Sequence, residues 1–321
     1  MARILIAFGG NALIREHERG TWEEQVAHAL EAAHVVAGLS RTEQVVLTHG
    51  NGPQVGALAL QQALGEPDAP ALPLSVLGAM TQGEIGYLLQ QALSAVDPSL
   101  PTATILTRVV VAADDPAFAA PPTKPIGPFY GREDADRLAA ERGWTMAEDA
   151  GRGWRRTVPS PRPLRVLEVE HVRRLIDGGT LVIAGGGGGI PVVSRDGALA
   201  GVDAVIDKDR CAAELALAVG ADRLVLLTGV RRVALGFGTR DQRDARRLTV
   251  GDALRHLHHG EFPAGSMGPK VEAAARFARA GGTALITDAA HLAAAVRGRD
   301  GTAIVGDAQG PSVLEPAVVP A

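Results

Sequence analysis

The sequence contains one cysteine, Cys211, and only three lysines, Lys124, Lys208 and Lys270, in 321 residues. A single cysteine excludes an internal disulfide and a metal site built from several cysteines. No apolar run approaches the roughly 20 residues that span a bilayer. The strand-like run RILIAF starts at Arg3, so we expect no signal peptide. We therefore expect a cytoplasmic protein that does not insert into membranes.

The chain also lacks a strong excess of either charge. It has 32 basic and 36 acidic residues, a formal net charge of −4 and a pI near 6.1. This balance argues against a protein that binds nucleic acid or membrane surfaces through general electrostatic attraction. With 46% hydrophobic and 21% charged residues, the composition is that of a globular protein with a substantial core.

The scarcity of lysine draws attention to the three that remain. Arginine supplies the other 29 basic residues, so arginine serves at most positions where a positive charge is needed. Lysine differs from arginine because its ammonium is a compact, mobile point charge, whereas a guanidinium is a broad planar fork. Lys208, in the stretch VIDKDR, therefore indicates a site that holds a small anion in a tight pocket. The alternative is an ordinary surface lysine.

Short apolar runs alternate with segments of helical periodicity along the chain. This alternation predicts an α/β fold with a mostly parallel sheet that is covered by helices on both faces. Ligands of such sheets lie at the carboxyl ends of the strands. The predicted strands are Ile4–Phe8, Val45–Thr48, Thr102–Val111, Leu181–Ala184, Leu224–Thr228, Ala284–Thr287 and Ala303–Val305. The predicted helices cover about 22–39, 79–95, 131–142, 168–177, 209–219, 249–259, 269–280 and 288–297.

Residues 112–165 interrupt this alternation. They are dense in proline and turn signals, and they hold Phe129, Tyr130, Trp144 and Trp154 in a chain with only 3% aromatic residues. We predict one domain over 1–321, with 112–165 as a protruding lid subdomain inserted in it. The alternative is a flexible insertion without structure of its own.

Four glycine-rich turns follow predicted strands or precede predicted helices. Glycine lets backbone N–H groups approach an anion closely, and a helix N-terminus adds partial positive charge. Four such turns in one α/β chain favour a polyanion site, although neither standard nucleotide-binding fingerprint is present. The turns are Gly9-Gly10-Asn11, His49-Gly50-Asn51-Gly52-Pro53-Gln54, Gly185–Gly189 and Gly265-Ser266-Met267-Gly268-Pro269-Lys270.

Two of the lysines stand at predicted helix starts, where a cation opposes the helix dipole. Lys208 precedes a helix predicted to begin at Asp209, and Lys270 follows Pro269, the predicted first residue of its helix. A bound anion between the two helices would stabilise both lysines. The carboxylates beside Lys208 have open roles: they could orient the lysine or hold water on Mg²⁺, and Asp209 could cap its helix.

Three other motifs favour structural roles. His256-x-His258-His259 lacks the carboxylates of a metal shell and is typical of a solvated helix end. His49 could contact a substrate, although packing at the strand end is favoured. The stretch Ala264–Gly268 lacks the first glycine of a nucleophile elbow, which argues against a serine hydrolase.

Taken together, several unusual strings make the sequence resemble the carbamate kinases of the amino acid kinase superfamily. The match runs in order from about residue 3 to residue 305. The resemblance implies a three-layer αβα sandwich, the amino acid kinase fold, and a homodimer. It also implies reversible transfer of a phosphoryl group between carbamoyl phosphate plus ADP and carbamate plus ATP, with Mg²⁺. The strings are FGGNAL, HGNGPQVG, AMTQGEIGY, PTKPIGPFY, EDAGRGWRR, VPSPRP, GGGGGIPVV, GVDAVIDKD, LTGV and GSMGPKVEAA.

The resemblance also implies roles for individual residues. Lys208 and Lys270 would neutralise the phosphoryl group in transit, Asp209 would organise them, and Lys124 would come from the lid. No metal ligands are implied, since Mg²⁺ would be held mainly by nucleotide phosphates. The acceptor end would involve Gly9, Gly10, Asn11, Gly50, Asn51, Gly52, Gly186 and Gly187. The nucleotide end would involve Asp207, Thr228, Val230, Phe237, Ala264, Gly265, Ser266 and Met267.

Two other functions stay open beside this one. The chain could be a different acid or phosphate kinase on the same fold, although no extra basic motif near Asn11 or Asn51 suits a longer acceptor. It could also be a catalytically silent nucleotide-binding regulator, against which the three lysines weigh. The family more often has Asn-Tyr-Gly near the adenine, whereas Gly236-Phe237-Gly238 stands here.

Overall fold

The computed structural model describes residues 1–9, 13–15, 18–66, 68–149, 151–195, 197–263 and 265–316. The strands are β1 Ala2–Phe8, β2 Glu43–His49, β3 Thr102–Thr104, β4 Arg108–Val110, β5 Lys124–Tyr130, β6 Met146–Glu148, β7 Trp154–Val158, β8 Arg165–Val166, β9 Leu181–Ile183, β10 Ile190–Arg195, β11 Ala198–Gly201, β12 Arg223–Leu227, β13 Val233–Leu235, β14 Arg243–Thr249, β15 Thr283–Thr287, β16 Thr302–Val305 and β17 Val313–Pro316. The helices are α1 Trp22–Ser40, α2 Gly52–Gly65, α3 Leu74–Val96, α4 Arg132–Arg142, α5 Val169–Asp177, α6 Lys208–Ala218, α7 Val250–His258, α8 Met267–Arg279 and α9 Leu292–Val296.

The central sheet is mostly parallel. In the described residues its strands follow the order β13-β14-β16-β15-β12-β1-β2-β9-β3, and β17 pairs with β14. The run from β15 to β3 is parallel throughout, whereas β16 is antiparallel to β15 and β13 to β14. The carboxyl ends of the inner strands therefore meet at one edge of the sheet.

Helices cover both faces of this sheet, and β1 shows why. Its side chains alternate in direction, as those of any strand do. Leu5 and Ala7 belong to the core cluster that contains residues of α5, α6, α7 and α8. Ile4, Ile6 and Phe8 belong to the cluster with α1, α3 and α9. A strand buried on both sides is a continuous apolar run, so the predicted three-layer αβα sandwich is confirmed.

The prediction of one strand over Thr102–Val111 is wrong. β3 lies at the edge of the central sheet, whereas β4 belongs to a second sheet with the order β11-β10-β4-β8. The chain changes sheets at Thr107, whose backbone N–H and C=O both bind the buried amide of Gln82, at 2.7 and 3.1 Å. A continuous apolar run does not reveal such a change, because both strands are apolar for the same reason.

Helix starts also differ from the sequence prediction, and α2 and α8 show the effect of glycine and proline. α2, beginning at Gly52, was not predicted because glycine and proline open it, yet proline suits a first helical turn. α8 begins at Met267, not at Pro269. The proline is tolerated inside the first turn because the N–H it lacks would have no partner within the helix. No helix of the described residues combines the length and apolar character needed to cross a bilayer.

Residues 112–165 contain their own small sheet. β5, β7 and β6 are antiparallel neighbours, and α4 contacts β6 and β7. The chain enters and leaves this region through the antiparallel pair β4–β8, where Val109 lies opposite Val166. β5 also packs directly on α2. At Gly56 of that helix, an added Cβ would lie 1.9 Å from the backbone of Gly127 in β5.

The close contact between α2 and β5 gives a first prediction. Gly56→Ala should lower kcat/KM by roughly 10²-fold, because the methyl group must push β5 away and a shift of about 1 Å at a reacting group can cost that much. Lys124 stands at the start of β5 and would move with it. The measurement is steady-state kinetics together with thermal unfolding.

Gly65→Ala is the matched control, because Gly65 ends the same helix and an added Cβ there meets nothing within 4 Å. It should keep full activity. If Gly56→Ala retained the same kcat/KM as Gly65→Ala, the contact would not position β5.

Candidate active site

Five neighbouring strands, β15, β12, β1, β2 and β9, end at the same edge of the central sheet. Asp288, Thr228, Gly9 and Gly50 directly follow four of these strands and line a cleft of about 750 Å³. Lys208, at the start of α6, lines the same cleft. The polar turns are therefore gathered where parallel α/β sheets bind their ligands.

Asp207 caps α6. Its backbone is extended, and its carboxylate accepts hydrogen bonds from the backbone N–H groups of Asp209 at 2.9 Å and Arg210 at 3.2 Å. The helix begins at Lys208, so the expected start at Asp209 is wrong and Asp209 is not the cap. Because Asp207 satisfies the first N–H groups, the carboxylate of Asp209 is left to contact side chains.

All three lysines of the chain converge on these two carboxylates. Both Lys208 and Lys270 pair with Asp209, the latter with 2.9 Å between Nζ and Oδ2. Lys124, arriving from β5, pairs with Asp207 at 2.7 Å. Three ammonium groups thus face two carboxylates in one wall of the cleft. Lysines separated by up to 146 positions in the sequence come together only in the fold.

Burial and charge oppose each other in this cluster. Burial lowers the pKa of Lys208 to about 8, although the charge of Asp209 acts to raise it. Burial also acts to lower the pKa of Lys270, but Asp209 outweighs it and the pKa lies above its ordinary value. For Asp209 and Asp207, burial acts to raise the pKa, and the neighbouring lysines outweigh it. Both carboxylates are therefore charged at neutral pH.

The five-glycine turn after β9 fits tightly against the turn after β2. An added Cβ at Gly186 would lie 2.3 Å from Nε2 of His49, and one at Gly187 would lie 2.2 Å from Nδ2 of Asn51. His49 is only 1% exposed and its Nδ1 binds the carbonyl of Gly50 at 3.0 Å. Burial lowers the pKa of His49 to about 4, so the ring is neutral. His49 packs the strand end.

Two arginines from residues 112–165 also line the cleft, Arg152 and Arg155. Both guanidinium groups lie over the ring of Phe129, 4.9 and 5.0 Å from its centre. Arg155 additionally binds Asp149 at 3.1 Å and lies beside Gly52, at the start of α2. Stacking and ion pairing hold both guanidinium groups, and that of Arg155 lies where an anion at the α2 N-terminus would meet it.

The comparisons with known proteins agree with one another. The model of the amino acid kinase family matches residues 2–288. Carbamate kinase from Thermococcus kodakarensis is 46% identical over 314 residues, which cover 95% of this chain and 99% of that protein. Carbamate kinase from Giardia lamblia bound to citric acid superposes with a TM-score of 0.90 at 40% identity, covering 95% and 99% of the two chains. The complex of the Giardia lamblia enzyme with AMP-PNP gives a TM-score of 0.86 at the same identity and coverage.

The chain belongs to the carbamate kinases of the amino acid kinase family. The resemblance stated from the sequence motifs is thereby confirmed.

Most of the residues expected at the acceptor end of a carbamate kinase line the cleft. Gly186 is an exception: it packs against His49, and its carbonyl accepts a hydrogen bond from Nε2 of Gln82 at 3.0 Å. Gly10 and Asn11 lie outside the described residues. The residues that line the cleft are Gly9, Gly50, Asn51, Gly52 and Gly187.

Of the eight residues expected at the nucleotide end, four line the cleft, three do not, and one lies outside the described residues. Asp207, Thr228, Gly265 and Ser266 line the cleft. Among the described residues, three others do not: Met267 packs against the core, and Val230 and Phe237 are 41% and 70% exposed. Ala264 lies outside the described residues. The roles of all of these stay predictions.

The sequence-based list missed Arg152, Arg155 and Asp288, which also line the cleft. The signal for the arginines was present in the string GRGWRR, where two glycines and one tryptophan accompany three arginines. Asp288 follows β15 directly, and a polar residue just after a buried parallel strand is a general indication of a site. No group of three or more potential metal ligands occurs within the described residues, and His256 pairs with Glu261 at 2.7 Å.

The pKa of Lys208 predicts the pH dependence of this carbamate kinase. Below about pH 8 the ammonium of the free enzyme is protonated, and above it the positive charge is lost. We therefore expect kcat/KM to fall as the pH rises through about 8, since kcat/KM reports groups of the free enzyme. Bound phosphates favour the charged form of Lys208 and raise its pKa in the complex. The fall of kcat should therefore come at a higher pH than the fall of kcat/KM.

Both expectations are tested by a series of pH values, in which kcat is measured at saturating acyl phosphate and kcat/KM at limiting acyl phosphate. The control is Lys208→Arg, whose guanidinium stays charged and whose residual kcat/KM should show no step there. A wild-type kcat/KM that stayed flat well above pH 8 would contradict the assignment.

Proposed function

We propose that this chain catalyses the reversible transfer of a phosphoryl group between carbamoyl phosphate and ADP, yielding carbamate and ATP. The observation that carries the proposal is the convergence of all three lysines on Asp207 and Asp209, beside glycine turns at the carboxyl edge of the sheet. A catalytically silent nucleotide-binding regulator would not need three buried or half-buried ammonium groups in one wall.

The transfer needs no covalent intermediate on the protein. A β-phosphate oxygen of ADP forms the new P–O bond, the bond to the carbamoyl oxygen breaks, and carbamate leaves with the electron pair. The reverse reaction uses carbamate as an anionic nucleophile, so no general base is required. Lys208 and Lys270 would stabilise the negative charge that is spread over the transferred group, and Asp209 would hold both lysines in place.

The two ends of the cleft suit the two substrates. On one side, Gly52 at the start of α2 offers a backbone N–H group to an acyl phosphate, and Arg152 and Arg155 offer guanidinium groups. On the other side, Thr228, Gly265, Ser266 and Asp288 surround the ends of β12 and β15 and the start of α8. Lys208 and Lys270 would lie between the two substrates, as in-line transfer requires. The Giardia lamblia relative, solved with AMP-PNP, supports a nucleotide as one substrate.

Magnesium would enter with the nucleotide. Asp207 and Asp209 are already paired with lysines, and the described residues hold no larger group of potential metal ligands. The residues present therefore fit a Mg²⁺ ion bound mainly by phosphate oxygens. When bound, the ion supplies positive charge to the nucleotide phosphates.

Residues 112–165 would act as a lid subdomain of a single amino acid kinase domain spanning 1–321. Support comes from three of its side chains, Lys124 in β5, Arg155 in β7 and Arg152 in the turn before β7, which line the cleft. Closing over the acyl phosphate would exclude water, which would otherwise hydrolyse it.

The proposed homodimer would use the outer face of α3. Val76 and Met80 lie one turn apart on this helix and are each 40% exposed, and Tyr87 follows two turns after Met80. Tyr87 stacks on Trp22, with ring centres 6.2 Å apart, and both rings are more than 40% exposed. An apolar face of this kind favours a protein partner. The molar mass in solution, measured by light scattering, tests whether the protein is a homodimer. We also propose a cytoplasmic location, where ADP and ATP are available as substrates.

A coupled assay tests the proposed reaction. ATP formed from carbamoyl phosphate and MgADP is consumed by hexokinase and detected through glucose 6-phosphate. We expect sustained turnover with carbamoyl phosphate and little or none with acetyl, aspartyl or glutamyl phosphate. Preference for one of the other acyl phosphates would favour a different acid kinase. ADP binding without any turnover would favour the regulator.

A further inference from the structure

The side chain of Asn51 is held in one orientation by a buried hydroxyl group. Its Nδ2 donates to Oγ1 of Thr81 at 2.9 Å, and that hydroxyl donates to the carbonyl of Gly78 at 2.8 Å. Asn51 is 4% exposed and Thr81 is fully buried. A threonine hydroxyl has a single hydrogen, which Gly78 uses here. Thr81 can therefore only accept from Asn51, and the amide nitrogen must face Thr81.

The backbone of Gly187 closes one side of the same amide. A Cβ at position 187 would lie 2.2 Å from Nδ2 and 2.7 Å from Oδ1 of Asn51, so the amide rests on the glycine Cα. Gly187 has a φ of +65°, which also favours glycine there. The amide of Asn51 thus has little room to move, and its direction is set by Thr81.

The carbonyl oxygen of this amide, Oδ1, is the atom that remains able to accept a hydrogen bond from a ligand in the cleft. Asn51 lines the cleft, and no donor among the described residues reaches its Oδ1. Among the described residues, Oδ1 is also not one of the fully buried side-chain oxygens that lack a partner. A nearly buried acceptor facing a binding site costs free energy unless the ligand supplies a donor.

We propose that Oδ1 of Asn51, oriented by Thr81, accepts a hydrogen bond from the amino group of carbamoyl phosphate or carbamate. This rests on the proposed function and adds the basis of its selectivity. An amino group and a methyl group are similar in size, but only the amino group carries N–H donors. An acyl phosphate with a methyl group would leave Oδ1 unpaired, and sites built for a hydrogen bond reject analogues that lack the donor. Thr81 is a positioning residue, since it touches Asn51 and not the substrate.

Thr81→Val tests the proposal, with Thr81→Ser as its matched control. Valine keeps the shape but removes the hydroxyl, so the amide can turn its nitrogen toward the cleft, whereas serine keeps the hydroxyl. The readouts are KM and kcat for carbamoyl phosphate and the inhibition constant of acetyl phosphate as a competitor. This constant is defined whether or not acetyl phosphate is turned over.

We expect Thr81→Val to lower kcat/KM for carbamoyl phosphate by about tenfold, the effect of one lost hydrogen bond, and to leave the inhibition constant of acetyl phosphate nearly unchanged. Thr81→Ser should keep the wild-type ratio of the two constants. Equal weakening of both ligands, or no change in either, would overturn the proposal. If the valine variant does not fold, the same constants measured for Thr81→Ala decide the matter. Failure of the proposed function would appear separately, as wild-type protein that makes no ATP from carbamoyl phosphate.

Discussion

Replacing Lys208 by arginine is expected to lower kcat by roughly 10²–10³-fold, the usual effect of losing one donor that stabilises a transition state. The ammonium of Lys208 is nearly buried and pairs with Asp209, beside the ammonium of Lys270. A guanidinium is larger, and its donors point in a fixed fork that cannot follow a phosphoryl group between two oxygens. The loss should fall on kcat more than on KM, because the contact is strongest in the transition state.

The hexokinase-coupled assay measures this change, and thermal unfolding shows whether the fold is kept. Arg276→Lys is the control, an exchange of the same two residue types on α8, where Arg276 pairs with Glu214 and is exposed. It should leave kcat unchanged. Lys270→Arg should resemble Lys208→Arg, and the double variant should lose less than the product of the two, because both lysines act on one charge. A wild-type kcat for Lys208→Arg would show that the compact ammonium is not required.

Asp209→Asn is expected to reduce activity at neutral pH by roughly 10²-fold or more. Asparagine has nearly the same shape but removes the charge that supports both lysines. For Lys208, burial already lowers the pKa to about 8 against the effect of Asp209, so the pKa should fall further. For Lys270, Asp209 is what outweighs burial, so its pKa should fall as well. The residual activity should therefore have its alkaline limb at a lower pH than the wild type.

A pH series of kcat/KM for both proteins measures this shift. Asp252→Asn is the control, since Asp252 pairs with Arg255 on α7 and does not line the cleft. It should change neither the profile nor kcat. Asp209→Asn losing activity equally at every pH would contradict the electrostatic role and leave a purely structural one.

Much of the fold follows from the sequence alone. The apolar runs at Ile4–Phe8, Leu181–Ala184 and Leu224–Thr228 are continuous, and a strand buried on both faces has no other pattern. The scarcity of lysine also singled out Lys208, Lys270 and Lys124, and the tertiary structure brings these three together. The motifs were long enough to indicate the carbamate kinases, because glycine turns that contact a ligand or another backbone tolerate little change.

Other properties were decided only by the tertiary structure. The run Thr102–Val111 divides between two sheets because the buried amide of Gln82 binds both backbone groups of Thr107, 25 residues away. Asp207 and Asp209 are alike in sequence, yet one caps α6 and the other holds two lysines. The orientation of Asn51 depends on Thr81, on a different helix. Each of these properties depends on contacts between residues that are far apart in the sequence. The local sequence does not specify which residues become neighbours in the fold.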